Sequence, residues 1–534
     1  MLRTGRNVRP DALIALVALV GVVGYMIAAG LLGEVGFPLD DAWIHQTYAR
    51  NLVQTGQWAF VPGEPSAGST SPLYTLLLAV GYALRVPFLV WTMGLGWLAL
   101  AAAGLTAARL GRQLGERLGA DGRSAYVWSG VAVAATWHLV WAGASGMETA
   151  LFAALTLGMV LLAWRELEVP AGVSGVRAAL GRGITLGLMG VAAMLTRPEG
   201  AGLLALIGGL VWLVRPHGRM AALVAWTGGV VAGFVAGTVP YVLFNLSLGG
   251  DILPVTATAK QAEYAVLLAQ PLGQRLLRLV IPILAGGQIA LVPGMMVSMI
   301  AVFRGLRRDG RFGLLLLPVF WAVALVGVYA LRLPVNYQHG RYVIPALPHL
   351  VVYGVVGTLV LSRHLLQRGM VGRVLGRSLV LIGVLLYAVF WGIGARQYAE
   401  DVQIIETEMV AAAQWLAANV PTDALLAVHD IGAVGYYASR PILDLAGLVS
   451  PEVIPLMQQP DQLWALMQAR DVRVLMGFPE HVPGGLDATR HLCEVFSTNG
   501  QWAPMAGGAN MAIYVIDWDG AGCESAAVFV SSGE

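Results

Sequence analysis

Two adjacent aspartates, Asp40 and Asp41, are the residues whose chemistry stands out first in this chain. They directly follow a long apolar segment, which puts two carboxylates at what should be a membrane surface. Carboxylates at a hydrocarbon boundary are costly to desolvate, and their default interpretation is a functional site. The alternative is an N-cap, since either aspartate could begin a short helix through Trp43 to Val53. A cap needs only one of them, so the pair alone leaves both interpretations open.

The elements that must position these carboxylates are membrane helices. The chain has 534 residues, of which 57% are hydrophobic and 12% are charged, with a mean hydropathy of +0.70. Soluble proteins are about 25% charged, so the composition predicts a polytopic α-helical membrane protein. The net charge of +2 and the lack of basic clusters with interleaved aromatic residues predict no nucleic-acid partner.

Apolar runs of spanning length predict roughly 11 transmembrane helices by the ~20-residue criterion. Ala12 to Leu32 resembles a signal peptide but is long enough to span, and we interpret it as a retained first helix. Arginines cluster in alternate loops, which predicts a cytoplasmic N-terminus by the positive-inside rule. The runs lie at about 11–32, 88–110, 125–142, 149–164, 181–195, 199–214, 220–246, 277–303, 312–331, 342–362 and 378–396, and the basic loops at 3–9, 109–123, 165–182, 215–219, 304–311 and 363–377.

Two domains are predicted, residues 1–397 in the membrane and residues 398–534 as a soluble α/β domain outside it. The first outer loop, 33–87, carries the aspartate pair and an apolar stretch from Ser71 to Leu84 that is too short to span. An interfacial helix fits that stretch. Cys493 and Cys523 both lie in the C-terminal part, and one disulfide or two free thiols remain open.

Acids and bases recur in the loops that this topology places outside. A carboxylate can act as general base on a hydroxyl, or two can hold a divalent metal, and arginine and lysine bind phosphate. Such a set suits transfer of a group away from a phosphate, and at a membrane the natural carrier of that phosphate is a lipid. The set comprises Asp40, Asp41, Glu148, Arg197, Glu199, Lys260, His339 and Arg341.

Each residue of this set also has a purely structural interpretation. Arg197 and Glu199 could form a local ion pair around Pro198, and Glu148 could complete a capping box with Ser145. Lys260 could be a solvated loop residue. His339 and Arg341 could anchor a helix at the interface, and Asp430, in the C-terminal part, could be a turn residue after a strand.

Several segments resemble the GT-C glycosyltransferases. The likeness is to the branch of mycobacterial arabinofuranosyltransferases and family-39-like bacterial enzymes, and it runs in the same order along nearly the whole chain. It is carried by Asp40-Asp41-Ala-Trp-Ile-His-Gln-Thr-Tyr48-Ala-Arg50-Asn51, Pro62-Gly63-Glu64, Thr70-Ser71-Pro72-Leu-Tyr, Ser145-Gly-Met-Glu148-Thr, Leu195-Thr-Arg197-Pro198-Glu199-Gly, Gly340-Arg341-Tyr-Val-Ile-Pro345, His429-Asp430-Ile-Gly-Ala-Val-Gly-Tyr436 and Leu443-Asp444-Leu-Ala-Gly447.

The resemblance implies an inverting transfer of a sugar from a polyprenyl-phosphate donor, with a first-loop aspartate as general base. Either Asp40 or Asp41 is the base, and the other positions the acceptor or a metal. No cofactor is certain, but Mg²⁺ or Mn²⁺ at the aspartates is an open alternative. The expected donor-phosphate ligands are Arg197, Lys260, His339 and Arg341, and the expected substrate-binding residues are His45, Tyr48, Glu64, Ser71, Glu148 and Glu199.

The sequence therefore predicts a multi-pass enzyme of a bacterial plasma membrane with its C-terminal domain outside. Its partners would be the lipid-linked donor, membrane lipid, and a cell-envelope glycan, lipid or protein acceptor. A transporter or flippase of a lipid-linked sugar is the main alternative, but it would need charges near the bilayer midplane. A receptor or scaffold built on the outer domain is a weaker alternative.

Overall fold

The computed structural model describes residues 9–168, 175–215, 219–248, 255–486, 492–520 and 523. Arg3 and Arg6 of the predicted cytoplasmic N-terminus, and Asp251 and Pro254 of an outer loop, lie outside these residues. The structure is mainly helical. The α-helices that correspond to the apolar runs of the sequence are Pro10–Leu32, Phe88–Leu118, Gly122–Ala135, Trp137–Ala144, Thr149–Arg165, Val176–Thr196, Glu199–Val214, Met220–Ser247, Leu272–Leu284, Val292–Leu306, Leu317–Arg332, Leu347–Leu366 and Gly369–Ile405. The remaining α-helices are Asp41–Thr55, Pro72–Ala83, Val255–Glu263, Ala265–Leu268, Tyr337–Gly340, Ala411–Asn419, Ile431–Ala433, Pro460–Ala469 and Trp502–Met505.

Eight helices within the described residues are long and apolar enough to cross a membrane. The α-helical membrane fold is thereby confirmed, and the chain is a multi-pass membrane protein, but the count of about 11 spans is not confirmed. The predicted run 125–142 is divided at Thr136, whose backbone is extended (φ −64°, ψ 116°). The runs at 149–164 and 199–214 form helices of 17 and 16 residues, short of the ~20 that a straight span needs.

Internal contacts divide the chain into two units. The first comprises Met1–Tyr25, Met93–Tyr241 and Gln270–Arg396, and the second comprises Met26–Thr92, Val242–Ala269 and Gln397–Glu534. One boundary between units therefore falls at Arg396, next to the predicted domain boundary. The second unit also takes in the first loop and a segment around Lys260. Independent domains at 1–397 and 398–534 stay a prediction.

Glycine pairs allow two helices of the first unit, Val176–Thr196 and Met220–Ser247, to touch through their backbones. A Cβ on any of these glycines would collide with a carbonyl oxygen of the other helix. Such pairs of small residues four positions apart are typical of close helix packing in membranes. Hydrophobic burial does not drive helices together in lipid, so close backbone contact stabilises their association instead. The pairs are Gly183 with Gly187 and Gly229 with Gly233.

The second unit contains a five-stranded sheet, which confirms the predicted C-terminal α/β region. Its strands are β3 (Leu426–Val428), β4 (Ile442–Asp444), β5 (Val474–Gly477), β6 (Leu492–Ser497) and β7 (Ala512–Ile516), and its order is β4-β3-β5-β7-β6. A separate two-stranded hairpin in the first loop consists of β1 (Ala59–Val61) and β2 (Glu64–Pro65).

Strands β4, β3 and β5 are parallel, with Leu426 opposite both Ile442 and Val474. Strand β7 pairs antiparallel with β5 and with β6. The parallel strands are fully buried, as their continuous apolar sequences require. Their carboxyl ends consequently lie at one edge of the sheet.

The cysteines and the short apolar segment of the first loop also have definite structures. Cys493 and Cys523 form a disulfide, which settles the alternative that the sequence left open. The stretch predicted at Ser71 to Leu84 is a helix of 12 residues, Pro72–Ala83. At 1.5 Å per residue it is about 18 Å long, too short to cross a bilayer.

Candidate functional site

Asp41 is the more accessible of the two aspartates. It is the first residue of helix Asp41–Thr55, and its Oδ2 lies 3.0 Å from Nζ of Lys260. The side chains are 23% and 17% exposed, so the ion pair is only partly shielded from water. Lys260 is therefore not a solvated loop residue: it lies on helix Val255–Glu263 and faces a carboxylate. Because it is partly exposed, this carboxylate can be reached by the hydroxyl of an acceptor, as a general base must be.

Asp40 occupies a different environment. It stands at the N-cap position of helix Asp41–Thr55, yet its side chain makes no capping hydrogen bond there. Instead, its Oδ2 accepts from the backbone N–H of Gly432 at 2.6 Å and its Oδ1 from that of Ala433 at 2.8 Å. Burial and the nearby charge of Asp430 raise the pKa of Asp40 to about 7, although the two N–H donors oppose this shift. Both oxygens thus serve a structural link to the segment after β3.

The raised pKa of Asp40 makes the stability of the protein depend on pH. The folded protein keeps a proton that the unfolded chain releases between about pH 4 and pH 7, so stability falls as pH rises through this range, by on the order of 1 kcal/mol per pH unit. We expect Asp40→Asn to remove this contribution because an amide does not titrate. Thermal unfolding in detergent across the range measures it. Asp423→Asn, at an exposed position, should keep the wild-type pH dependence, and an unchanged slope in Asp40→Asn would contradict the expectation.

Three of the predicted substrate-binding residues are buried among protein atoms. The His45 ring nitrogen Nδ1 lies 3.0 Å from Thr75 Oγ1. The Tyr48 hydroxyl lies 2.6 Å from Ser66 Oγ and accepts from the backbone N–H of Gly68 at 3.0 Å. Ser71 is fully buried before helix Pro72–Ala83. These contacts hold the first loop in one conformation.

Glu64 is the predicted substrate ligand that faces open space. It lies on β2 and is exposed. With Ser66, Ser450 and Arg470 it lines a cavity of about 170 Å³. A carboxylate and an arginine around one cavity could bind a polar group.

In the first unit, Glu148 and Arg197 form a buried ion pair. Oε1 of Glu148 lies 3.0 Å from Nε of Arg197, and the side chains are 5% and 8% exposed. The guanidinium also lies over the rings of Phe152 and Tyr342, at 5.9 and 5.3 Å from their centroids. Arg197 therefore pairs with a glutamate that is distant in sequence. Glu199, the partner proposed for a local ion pair, also interacts electrostatically with Arg197. The substrate-binding roles of these three residues stay predictions.

The predicted phosphate ligands His339 and Arg341 lie in a strained turn. Gln338 and His339 have positive φ values of 52° and 58°, a conformation that residues other than glycine adopt at a cost and that often marks functional segments. The ring of His339 packs edge-on against Trp137 and Trp141. Arg341 is 3% exposed and donates from Nη2 to the Tyr342 hydroxyl at 3.1 Å.

Sequence reasoning did not select one cluster, which lies in the second unit. Among the described residues, His429, Asp430 and His481 are the group that could hold a metal ion. Asp430 follows β3 as predicted for a turn residue, but two imidazoles meet its carboxylate. The signal in the sequence was the position of these residues directly after two strands, β3 and β5. Metal binding by Asp40 and Asp41 stays a prediction.

Comparison with known proteins gives a fold but not a family. Residues 396–516 match a domain of unknown function, DUF8728. No curated protein matches the sequence. Among solved structures, ArnT from Cupriavidus metallidurans bound to undecaprenyl phosphate is similar over 96% of this chain and 99% of its own, with 14% identity and a TM-score of 0.54.

Two further solved structures are similar to this chain. The oligosaccharyltransferase AglB from Archaeoglobus fulgidus, in complex with an inhibitory peptide and a dolichol-phosphate, matches over 88% of this chain and 69% of its own, with 11% identity and a TM-score of 0.54. The mycobacterial arabinofuranosyltransferase AftD matches over 95% of this chain and 42% of its own, with 15% identity and a TM-score of 0.50. All three are GT-C glycosyltransferases.

The chain has the GT-C fold. The resemblance read from the sequence is thereby confirmed at the level of the fold. At identities of 11 to 15% the GT-C fold does not by itself assign a substrate, because function resides in a site and not in a fold.

Proposed function

We propose that this protein is a membrane glycosyltransferase that moves a sugar from a polyprenyl-phosphate donor to an acceptor hydroxyl. The observation that carries the proposal is the partly buried ion pair that Asp41 of the first loop forms with Lys260, in a chain with the GT-C fold. Undecaprenyl phosphate bound to ArnT and dolichol-phosphate bound to AglB support the class of donor. A flippase is not favoured, because all three similar structures are transferases.

The proposed reaction is a single displacement at the anomeric carbon. The acceptor oxygen forms a bond to that carbon, and the bond from the carbon to the phosphate oxygen breaks. Asp41 takes the proton of the acceptor hydroxyl, and the polyprenyl phosphate leaves with the bonding electron pair. Attack opposite the leaving group inverts the anomeric configuration. Asp40 is a positioning residue in this scheme, since its oxygens accept the backbone N–H groups of Gly432 and Ala433.

The donor phosphate needs cations. We assign it to Arg341 first, with Arg197 and His339 of the same unit as further ligands, and a contribution of Lys260 stays a prediction. A guanidinium presents a planar fork of donors that matches a phosphate. Arg341 already lies beside the rings of Tyr337 and Tyr342, with its central carbon 5.6 and 5.0 Å from their centroids. Those rings fix the plane of the fork.

The location and the partners complete the proposal. The positive-inside pattern supports a cytoplasmic N-terminus and an outer C-terminal region. In a bacterial plasma membrane, the acceptor would be a glycan, lipid or protein of the cell envelope. The inhibitory peptide bound to AglB and the arabinofuranosyl group in the name of AftD do not select between these.

Donor consumption tests the function directly. Purified protein is incubated with a panel of polyprenyl-phosphate pentoses and hexoses together with envelope extracts as acceptors. We expect mass spectrometry to show conversion of one donor to free polyprenyl phosphate, dependent on acceptor. The matched control is the Asp41→Asn protein. Transbilayer movement of the intact donor in proteoliposomes, without its consumption, would favour the flippase instead.

Replacing Arg341 should weaken binding of the donor. We expect Arg341→Lys to raise the KM for the donor about tenfold with a smaller change in kcat, because a lysine keeps the charge but loses the bidentate fork. Initial rates at varied donor concentration measure this split. Arg332→Gln, at the exposed end of helix Leu317–Arg332, is the control. An unchanged donor KM in Arg341→Lys would exclude Arg341 as a phosphate ligand.

A further inference from the structure

We propose that His429, Asp430 and His481 form a binding site for a transition-metal cation of the Zn²⁺ class. The three side chains belong to the second unit, and one ligand atom from each lies within 4.8 Å of the others. The site is distinct from the aspartate pair for which the sequence suggested Mg²⁺ or Mn²⁺. It goes beyond the proposed transferase reaction and does not depend on it.

The topology of the sheet brings the three residues together. His429 and Asp430 directly follow β3, and His481 ends a short 3₁₀ turn after β5. Because β3 and β5 are adjacent and parallel, their carboxyl ends lie at the same edge. In parallel sheets, ligands bind at that edge.

The distances among the three side chains fit a shared metal ion. Oδ2 of Asp430 lies 3.6 Å from Nδ1 of His429 and 3.2 Å from Nδ1 of His481. All three atoms are buried, and none makes a hydrogen bond within the described part of the chain. In a tetrahedral site with metal–ligand bonds of about 2.0 Å, neighbouring ligand atoms are about 3.3 Å apart. A cation between the three would satisfy all of them.

The charges and the ring geometry of the two histidines also favour a bound metal ion. The two imidazole rings stack with centroids 3.7 Å apart and an interplanar angle of 25°. Two imidazolium ions at this separation would repel each other. Neutral imidazoles with a shared cation remove the repulsion. Two histidines and one carboxylate favour Zn²⁺ over Mg²⁺, which prefers oxygen ligands.

Glu263 places a carboxylate near the second ring nitrogen of His429. Its Oε1 lies 3.9 Å from Nε2 of His429, the ring nitrogen that does not face Asp430. A carboxylate at the second nitrogen fixes the tautomer and the orientation of a ligating histidine. Glu263 is the last residue of the helix Val255–Glu263, which also carries Lys260. Metal binding would therefore also fix the helix whose Lys260 pairs with Asp41.

Metal content of the full-length protein tests the site. The protein is stripped with a chelator in detergent, incubated with Zn²⁺, dialysed and analysed by mass spectrometry for metals. We expect about one Zn²⁺ per chain in the wild type, as for a specific site. His481→Gln and Asp430→Asn should leave sub-stoichiometric zinc, whereas His364→Gln, at an exposed helix end, should bind like the wild type.

Two further measurements keep the test independent of folding of the variants. Co²⁺ loaded into the wild type should give the visible absorption of a four-coordinate site with nitrogen ligands. Glu263→Gln should weaken zinc affinity by about 10-fold to 100-fold without abolishing binding. Sub-stoichiometric zinc in the wild type, retention of Mg²⁺ instead of Zn²⁺, or full zinc content in His481→Gln would each overturn the proposal. None of these readouts requires a donor or an acceptor, so they are separate from the test of sugar transfer.

Discussion

Asp41→Asn is expected to lower the rate of sugar transfer by about two to four orders of magnitude, the usual contribution of a general base. The substitution keeps the size of the side chain and an oxygen that can accept from Lys260, which lies 3.0 Å from Oδ2 in the wild type. It removes the ability to take a proton. We therefore expect normal protein yield and unchanged thermal stability beside the loss of rate.

The comparison between the two aspartates identifies the base. Both oxygens of Asp40 accept backbone N–H groups, so Asp40→Asn should disturb the link to Gly432 and Ala433 and should lower activity less than Asp41→Asn. Initial rates of donor consumption at saturating donor, measured on both proteins, give the ratio. Wild-type transfer by Asp41→Asn would exclude Asp41 as the base. Collapse in Asp40→Asn alone would transfer the role to Asp40.

Of the substitutions proposed for this protein, Arg197→Ala is expected to lower the free energy of unfolding most. Removing one partner of a buried ion pair leaves the other charge uncompensated and costs about 3 to 5 kcal/mol. Here the charge left behind is Glu148, which is 5% exposed. The substitution also removes the contacts of the guanidinium with Phe152 and Tyr342. Thermal unfolding of the purified protein in detergent should show a lower melting temperature.

A double-mutant cycle separates the pair from its surroundings. We expect Glu148→Gln combined with Arg197→Gln to be less destabilising than the sum of the single changes, because neither amide leaves the other with an uncompensated charge. Arg112→Ala is the matched control in the same unit, since its ion pair with Glu116 is exposed and such pairs contribute little. Strict additivity of the Glu148 and Arg197 substitutions would show that the two side chains are not energetically coupled.

Properties that depend on local composition were accessible from the sequence. The cost of placing polar groups in hydrocarbon acts on every segment separately, so the apolar runs alone predicted a polytopic helical protein. The C-terminal α/β region was predicted because short apolar runs between turn residues are typical of buried strands. The GT-C fold was implied by the resemblance of segments along nearly the whole chain, the first-loop motif among them.

Properties that depend on contacts between residues far apart in sequence could not be predicted from the sequence. Nothing in the neighbouring residues tells Asp40 from Asp41: the backbone N–H groups of Gly432 and Ala433 select Asp40 for a structural link, and Lys260 selects Asp41 as the paired, accessible carboxylate. The number of spans stays unconfirmed, because hydropathy does not show a helix break such as the one at Thr136.

The aspartate pair and the histidine cluster show the same division. The sequence by itself determined that carboxylates follow the first membrane helix and that histidines follow two strands, because both facts concern positions along the chain. Only the tertiary structure decided which groups face each other. The parallel pairing of β3 with β5 brings His481 to Asp430, and the helix Val255–Glu263 brings one cation to Asp41 and one carboxylate to His429. Distances between residues far apart in sequence are set by packing, and packing determines the charge and the chemistry of each site.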